Sequence, residues 1–309
     1  MNNRGAVLIT ALWTLVILSM LALGLAYRVR LEISLTRYQL DAIDLVQMAK
    51  AGLLLSRMAA SQPSGASSLN QRWSQDPGGF KDREVMGGRL TWTHDADGPD
   101  GEPATLYGLS DEESRLSLNA ASAEALARLP GISPVAAAAI AEWRAPGSAA
   151  KGVYDGAPAR GGPFRSVDEL LLVRGMTPED FALASPHLTA YGSGKVNVNT
   201  ASRRVLRAVG LPETVVSKLL LFRAGGDFRV GTGDDGVFQS VASIIPRLSA
   251  ADRLSADEIH ALTAAQPALA VQSTCFRARL KALRGTLSRT FIAVFRAGSP
   301  EPLYWHEGA

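Results

Sequence analysis

The sequence predicts an α+β protein in which a long N-terminal helix joins an antiparallel sheet, with a large all-α domain inserted into that sheet. Three observations support this prediction. An apolar and then amphipathic helical segment opens the chain, strand-like segments lie at both ends of the remainder, and the region between them contains an internal repeat. With 309 residues, of which 47% are hydrophobic and 20% charged, the chain is long enough to bury such a core.

The first predicted element is a helix of about 50 residues. Residues 6–27 carry no charge, and at about 1.5 Å rise per residue they span about 30 Å, the thickness of a bilayer core. Residues 28–60 continue without a turn signal, and their apolar side chains recur at helical spacing. The helix is predicted to break in the Ser/Pro/Gly-rich segment 61–68. The simplest interpretation of residues 6–27 is a single membrane anchor, and an ordinary signal anchor is one alternative.

Alternation of apolar and polar residues marks the sheet. Strands are predicted at residues 88–94, 104–109, 271–283, 287–296 and 303–305. A turn-rich acidic loop is expected at 95–102, and a hairpin turn at Arg284 and Gly285. The first two strands are separated from the last three by about 160 residues, which indicates one sheet interrupted by an inserted domain.

The inserted region contains a duplicated helical unit of about 80 residues. The segments that match in order are 116–145 with 196–224, 162–167 with 236–241, and 176–180 with 254–258. Asn119 corresponds to Asn199, and Arg144 to Arg223. Each copy begins with a polar cap and turns at a glycine into a second helix, a helix-hairpin-helix-like pattern.

Some helix-hairpin-helix units bind DNA through backbone N–H groups and nearby Lys or Arg. Here the helix after Gly131 offers only Arg144 near its end, while the second copy has Glu213 at the turn and Lys218 as its first cation. The net charge of +3 is also small. The hairpins are therefore predicted to serve packing or protein contact, without nucleic acid. A membrane-anchored DNA-binding or DNA-uptake protein is the alternative.

The N-terminus resembles that of type IV pilins and pseudopilins. Those proteins carry a short basic leader ending in Gly, which a prepilin peptidase removes directly before the apolar run, and Arg4, Gly5 and Ala6 fit this pattern. The resemblance implies cleavage between Gly5 and Ala6 and methylation of the new amine. Most members carry Glu five residues after the cut, where this chain has Thr10. In the family that Glu pairs with the amine of the subunit above, so Thr10 is predicted to determine the position of the subunit in the filament.

Leader, missing Glu and helical insertion together resemble the minor pseudopilin K family of type II secretion systems. Residues 113–122 (ESRLSLNAAS) and 163–201 are especially similar to that family. The domain plan it implies is leader 1–5, helix 6–60, first part of the sheet 61–115, inserted α-helical domain 116–268 and second part of the sheet 269–309.

The resemblance also implies a cellular location and protein partners. A single span would hold the chain in the bacterial inner membrane with its globular part in the periplasm. The expected partners are the I and J minor pseudopilins, the major pseudopilin, the prepilin peptidase and the inner-membrane assembly platform. The expected function is to initiate or cap the pseudopilus from its tip for protein secretion across the outer membrane.

Family members bind calcium, and oxygen-rich Gly/Asp loops suit a hard cation. No cofactor is required by the sequence, but calcium is an open prediction at two acidic segments. Their residues are Asp95, Asp97, Asp100 and Glu102 in one segment, and Asp227, Asp234 and Asp235 in the other. Neither segment follows the EF-hand pattern.

An enzyme is not predicted, because the sequence has no G-x-S-x-G elbow, no P-loop and no G-x-G-x-x-G after a strand. A membrane-tethered periplasmic enzyme is the weaker rival. The carboxylates Asp111, Glu112 and Glu113 lie together among polar residues and are interpreted as a solvated loop.

Overall fold

The fold is α+β, as the sequence predicts. The computed structural model describes residues 4–61, 65–146 and 161–308. Part of the predicted leader (1–3) and part of the predicted linker (62–64) lie outside the described residues. The α-helices are α1 (Arg4–Ala60), α2 (Pro77–Phe80), α3 (Ala123–Ala127), α4 (Pro134–Arg144), α5 (Pro178–Ala184), α6 (Arg203–Ala208), α7 (Glu213–Arg223), α8 (Ile244–Ala251) and α9 (Ala256–Ala265).

The strands are short before the insertion and long after it. In chain order they are β1 (Arg83–Val85), β2 (Gly88–Trp92), β3 (His94–Asp97), β4 (Pro103–Leu106), β5 (Ser110–Asp111), β6 (Leu116–Ser117), β7 (Leu188–Thr189), β8 (Val196–Asn197), β9 (Leu269–Ala270), β10 (Cys275–Arg284), β11 (Leu287–Arg296) and β12 (Pro302–Gly308). Turns of 3-10 helix lie at Glu112–Ser114, Val167–Leu172, Ser185–His187, Val241–Ser243 and Gln266–Ala268.

The main sheet is antiparallel, with strand order β1-β2-β10-β11-β12, and β5 pairs with the start of β10 beside it. Strands from both sides of the insertion therefore form one sheet. Helix α1 covers one face of it, and Leu45, Met48 and Ala49 are fully buried there. A Cβ atom at Gly52 would lie 3.0 Å from side-chain atoms of Leu90 and Leu280, so this glycine lets the helix approach the sheet closely.

The second predicted strand does not join this sheet. Strand β4 pairs only with β3, in a separate hairpin, and Asp95 and Asp97 lie in β3 rather than in the loop expected at 95–102. Ala96 is buried in a small apolar cluster, while its neighbours Asp95 and Asp97 are exposed and half-buried. This period-2 pattern forms a strand despite the low β propensity of Asp.

The insertion consists of two copies of one unit, repeat 1 (residues 116–189) and repeat 2 (residues 196–270). Each begins and ends in a two-residue strand, and the two strands pair in parallel, β6 with β7 and β8 with β9. The two repeats share one apolar core, in which Leu126 and Ile140 of repeat 1 join Leu206 and Leu219 of repeat 2. The sheet and α1 form a separate core.

Asn119 and Asn199, which occupy corresponding positions in the two repeats, explain why this part of the sequence pattern recurs. Asn119 Oδ1 accepts from the Phe164 backbone N–H at 2.7 Å and its Nδ2 donates to the Phe164 carbonyl at 3.0 Å. Asn199 makes the same two bonds to Phe238, at 2.9 and 3.0 Å. Each phenylalanine ring also stacks on an aromatic ring of the second hairpin helix. The asparagine thus fixes the segment that closes each repeat.

Candidate functional site: the N-terminal helix and the junction of the head

The predicted processing residues lie in the first turns of α1. Gly5 and Ala6 are exposed, and a Cβ atom at Gly5 would meet nothing within 4 Å. Cleavage between them stays a prediction.

Thr10 is also exposed, on the next turn of the helix. Its hydroxyl donates back to the carbonyls of Val7 at 2.9 Å and Ala6 at 3.2 Å. The polar group is therefore satisfied within its own helix, as an apolar environment requires. An ionised carboxylate at this position has no proton to donate, so it could not make these bonds to the carbonyls of its own helix.

Within the part of the chain that the structure describes, α1 is the one helix long and apolar enough to cross a membrane, judged by length and composition. It is continuous for 57 residues, or about 85 Å, and residues 5–40 are exposed. The helix first meets the sheet where Arg284, at the end of β10, pairs with Asp41 at 3.2 Å and Asp44 at 2.9 Å. The Arg284 end of the sheet is therefore the end nearer to the apolar segment.

The insertion is attached at the opposite end of β10. The chain leaves the sheet after β5, whose Asp111 pairs with Phe276, and returns at Cys275. Strand β10 has ten residues, about 33 Å at the usual rise. The insertion therefore lies at the end of the sheet farther from the apolar segment.

Three adjacent carboxylates form this attachment, here called the acidic junction: Asp111, Glu112 and Glu113. Their interpretation as a solvated loop is wrong, because their exposed fractions are 2%, 0% and 1%. Leu109 before them and Leu116 after them are anchored in the two separate cores. Between these anchors, Ser110 and the three carboxylates are buried, and only Ser114 and Arg115 are partly exposed.

Each carboxylate binds a different part of the molecule. Asp111 Oδ2 accepts from Thr200 Oγ1 and Ser273 Oγ, both at 2.5 Å, and from Asn197 Nδ2 at 2.9 Å. It therefore joins repeat 2 to the segment that leads into β10.

Glu112 and Glu113 bind repeat 1 and the chain between the repeats. Glu112 accepts from Thr189 Oγ1 and pairs with Arg277 Nε at 2.5 Å and Arg115 Nη1 at 3.0 Å. Glu113 accepts from the Ser193 N–H at 3.2 Å and from Thr274 Oγ1 at 2.6 Å. Together the three residues hold both repeats on the sheet.

The acidic junction contains carboxylates with opposite pKa shifts. Burial and the neighbouring charge of Glu113 raise the pKa of Asp111 to about 7, against the hydrogen bonds it accepts. Burial also raises the pKa of Glu112, but the charges of Arg277 and Arg115 outweigh it and hold the pKa below its usual value. Glu112 is thus held as an anion by its two arginine partners, whereas the surroundings of Asp111 favour its protonated form.

Both hairpin turns are covered by other parts of the insertion. A Cβ atom at Gly131, where φ is +75°, would lie 2.2 Å from the Asp180 carbonyl oxygen of α5. The second turn is met by Arg128 of repeat 1, whose Nη1 donates to the Ala208 carbonyl at 3.1 Å. Glu213 at the start of α7 pairs with Arg207 at 3.3 Å and with Arg203. Phosphate would meet a covered turn in one copy and a carboxylate in the other.

The two acidic segments predicted for calcium use most of their carboxylates for internal bonds. Asp97 Oδ2 accepts from the Arg203 N–H, and Asp95 Oδ1 from Thr105 Oγ1. Asp227, Asp234 and Asp235 accept from backbone N–H groups of their own loop, while Asp100 and Glu102 are exposed. Among residues 4–61, 65–146 and 161–308, no group of three or more His, Cys, Asp or Glu side chains can hold a metal ion. Calcium binding at either segment stays a prediction.

No model of a known protein family matches the chain. No curated protein matches its sequence. Among solved structures, it is similar to a chain in the crystal structure of the GspK–GspI–GspJ complex of the type 2 secretion system of enterotoxigenic Escherichia coli. The two are 15% identical with a TM-score of 0.65, over 89% of this chain and 99% of that chain. The chain therefore has a fold like that of a type II secretion pseudopilin.

Proposed function

We propose that this chain is a minor pseudopilin of a type II secretion system, of the K family, and that it initiates or caps the pseudopilus from its tip. Its partners in this proposal are the I and J minor pseudopilins, as the similar solved complex suggests. The major pseudopilin and the assembly platform of the inner membrane act with it. Helix α1 anchors it there, with the head in the periplasm.

The position of the insertion carries this proposal. Arg284 marks the end of the sheet nearer to the apolar segment, and the acidic junction lies at the other end of β10. A filament that starts in the membrane grows by adding subunits below those already in place. An insertion of about 150 residues at the far end would block a subunit above it, but would leave helix α1 free to pack against a subunit below.

The residue at position 10 of helix α1 also supports a place at the tip of the filament. A topmost subunit has no N-terminal amine above it to neutralise, so a carboxylate at position 10 would be an unpaired charge among apolar helices. Thr10 avoids that penalty because its hydroxyl bonds to carbonyls of its own helix.

Labelling of the chain in sheared pseudopili tests the proposal. We expect gold label at one end of each filament, at one copy per filament. Label along the filament length, near the stoichiometry of the major subunit, would contradict it.

A deletion variant tests the role of the insertion separately. Removing residues 116–270 and joining Arg115 to Val271 is feasible because Glu113 and Thr274 are in contact across the gap. We expect this variant to release the restriction on filament growth. Thr10→Glu, with the insertion intact, should have a mild effect because the steric block remains.

Processing is tested by mass spectrometry of the mature chain. With the prepilin peptidase present, we expect a methylated Ala6 as the first residue. Retention of Met1, or a cut after Tyr27, would remove the chain from the pseudopilins.

A further inference from the structure

One large apolar side chain of the loop 225–236 is exposed although an apolar cluster lies beside the loop. Ala224 and Val230 are buried in that cluster together with Leu106 of β4. Phe228 lies between them in the sequence but outside the cluster, and its exposed fraction is 62%. Burying a phenylalanine would normally stabilise a fold by removing apolar surface from water. Single exposed apolar residues are common, however, so the exposure needs a second observation before it indicates a function.

The second observation is the backbone of Phe228, whose φ is +57°. Left-handed backbone is unfavourable for a residue with a Cβ atom, and Gly, Asn or Asp normally occupy such positions. In the described part of the chain, only Asp82 and Met86 share this property among the non-glycine residues. Asp tolerates it, and Met86 forms with Gly87 the two-residue turn between β1 and β2, a geometry in which both positions take positive φ. Phe228 has neither explanation.

Carboxylates on both sides of Phe228 hold the loop in this conformation. Asp227 Oδ1 accepts from the Arg229 N–H at 2.8 Å, across Phe228. Asp234 Oδ2 accepts from the N–H of Gly226 at 2.8 Å and from that of Asp227 at 3.1 Å. A glycine at position 228 would adopt the same backbone without strain. The folding of the loop therefore gives no reason for a phenylalanine here, and the loop presents its ring in a fixed position.

The loop lies at the side of the head, where the insertion meets the segment between α1 and β4. A Cβ atom at Gly231 would lie 3.0 Å from Leu106 Cδ2 and 3.4 Å from Gln75 Cγ. A side chain presented here is placed to contact a subunit beside the head. Backbone strain is often concentrated at binding sites, and aromatic residues are enriched in protein–protein interfaces.

We infer that Phe228 is an anchor residue for a neighbouring subunit, and that its ring inserts into an apolar pocket on the head of the I–J pair of minor pseudopilins. This inference rests on the proposed function, which supplies those partners. Because the loop already holds the ring in place, little conformational entropy is lost when the contact forms. Glycine would relieve the strain at this position but would leave the pocket of the partner empty.

Binding of the full-length chain to the I and J pseudopilins of its own secretion system, measured in detergent by microscale thermophoresis, tests this inference. Phe228→Gly removes both the ring and the strain. We expect its affinity for the I–J pair to be lower by about 10-fold or more. Its Tm, followed by tryptophan fluorescence, should be equal to or higher than that of the wild type, because the left-handed backbone suits glycine. Phe228→Tyr keeps an aromatic ring and should retain most of the affinity.

Met86→Gly is the matched control, because Met86 is also exposed, by 55%, and also has a positive φ, of +50°. Its affinity for the I–J pair should equal that of the wild type. An unchanged affinity of Phe228→Gly, or an equal loss in Met86→Gly, would overturn the inference. A lower Tm of Phe228→Gly would overturn it too, since the ring would then stabilise the head itself. A wild-type chain that does not bind the I–J pair would contradict the proposed function, and the inference with it.

Discussion

The two repeats of the insertion have the same scaffold but different attachments. Both are closed by an asparagine that binds a phenylalanine backbone and by a parallel pair of two-residue strands. They differ at the second residue of the first strand, which is Ser117 in repeat 1 and Asn197 in repeat 2. Both accept from the N–H two residues on, but only Asn197 also donates to Asp111, Ser67 and Ser273.

This difference separates residues that fold the repeat from residues that dock it. The scaffold bonds occur in both copies, so they belong to the unit itself. The bonds to the acidic junction are made by different residues in each copy, so they arose from the place of each copy in the molecule. Variants at corresponding positions should therefore have similar effects for scaffold residues and different effects for docking residues.

The largest effect is expected at the scaffold asparagines. Asn199→Ala should lower the free energy of unfolding by about 3 kcal/mol, because it leaves the buried N–H and C=O of Phe238 without partners. Asn119→Ala should be destabilising too, but less so, since Asn119 is only half-buried and water can replace it. Urea unfolding measures both. Negligible effects of both substitutions would show that these asparagines do not stabilise the repeats.

Titration of Asp111 should loosen repeat 2 selectively. Its pKa is raised from 3.8 to about 7, so the native chain binds more protons than the unfolded chain between these values. The contribution to stability is fully present below about pH 4 and is lost as the pH rises through about 7, so the free energy of unfolding should fall over this range. Hydrogen exchange should increase in repeat 2 over this range more than in repeat 1. In Asp111→Asn this difference between the repeats should disappear; its persistence would assign it to another group.

Exchanging the docking residue gives a smaller effect. Asn197→Ser gives repeat 2 the residue of repeat 1, so the bond to the Asn199 N–H is kept while the bonds to Asp111, Ser67 and Ser273 are lost. We expect a loss of about 1.5 kcal/mol in the free energy of unfolding. Ser117→Ala, the control, removes only a local bond and should change it by about 0.5 kcal/mol. If the control is as destabilising as Asn197→Ser, the docking role of Asn197 is wrong.

The smallest effect is expected at the second hairpin helices. Ser133 caps α4 by accepting from the Ala136 N–H at 3.1 Å, whereas Pro212 at the same place before α7 has no side-chain cap bond. Ser133→Ala should lower the free energy of unfolding by about 1 kcal/mol. Pro212→Ala should change it by less than about half of that, through the unfolded state alone. Thermal unfolding of the two variants compares them, and a larger loss for Pro212→Ala would contradict the assignment of the caps.

Local patterns predicted the regular elements well and the acidic junction not at all. Strand β11 lies at Leu287–Arg296, where its alternation placed it, and the continuous helical spacing predicted α1. Strand β10 starts at Cys275 rather than at 271, because Ser273 and Thr274 bind the junction carboxylates instead of a neighbouring strand. Alternation of apolar and polar residues therefore predicts a strand boundary well only where no residue distant in the sequence binds the terminal residues of that strand.

The burial of the junction carboxylates depends on partners that no local pattern contains. Thr189 is 77 residues from Glu112, and Ser273 is 162 residues from Asp111. One signal was present in the sequence: three charges in a row between Leu109 and Leu116, with no Gly or Pro between these two leucines to form a turn. The parallel two-residue strands were missed for the same reason, since two residues have no period.

The continuity of α1 has a mechanical consequence. The apolar segment and the part that packs on the sheet belong to one rod without a hinge, so a pull or push on the membrane end reaches the sheet undamped. The load passes first through the ion pairs of Arg284 with Asp41 and Asp44, and then through Leu45, Met48 and Ala49, which slide along the sheet only if their whole contact shears at once. A force applied to the apolar end of α1 would therefore be transmitted to the sheet through this contact.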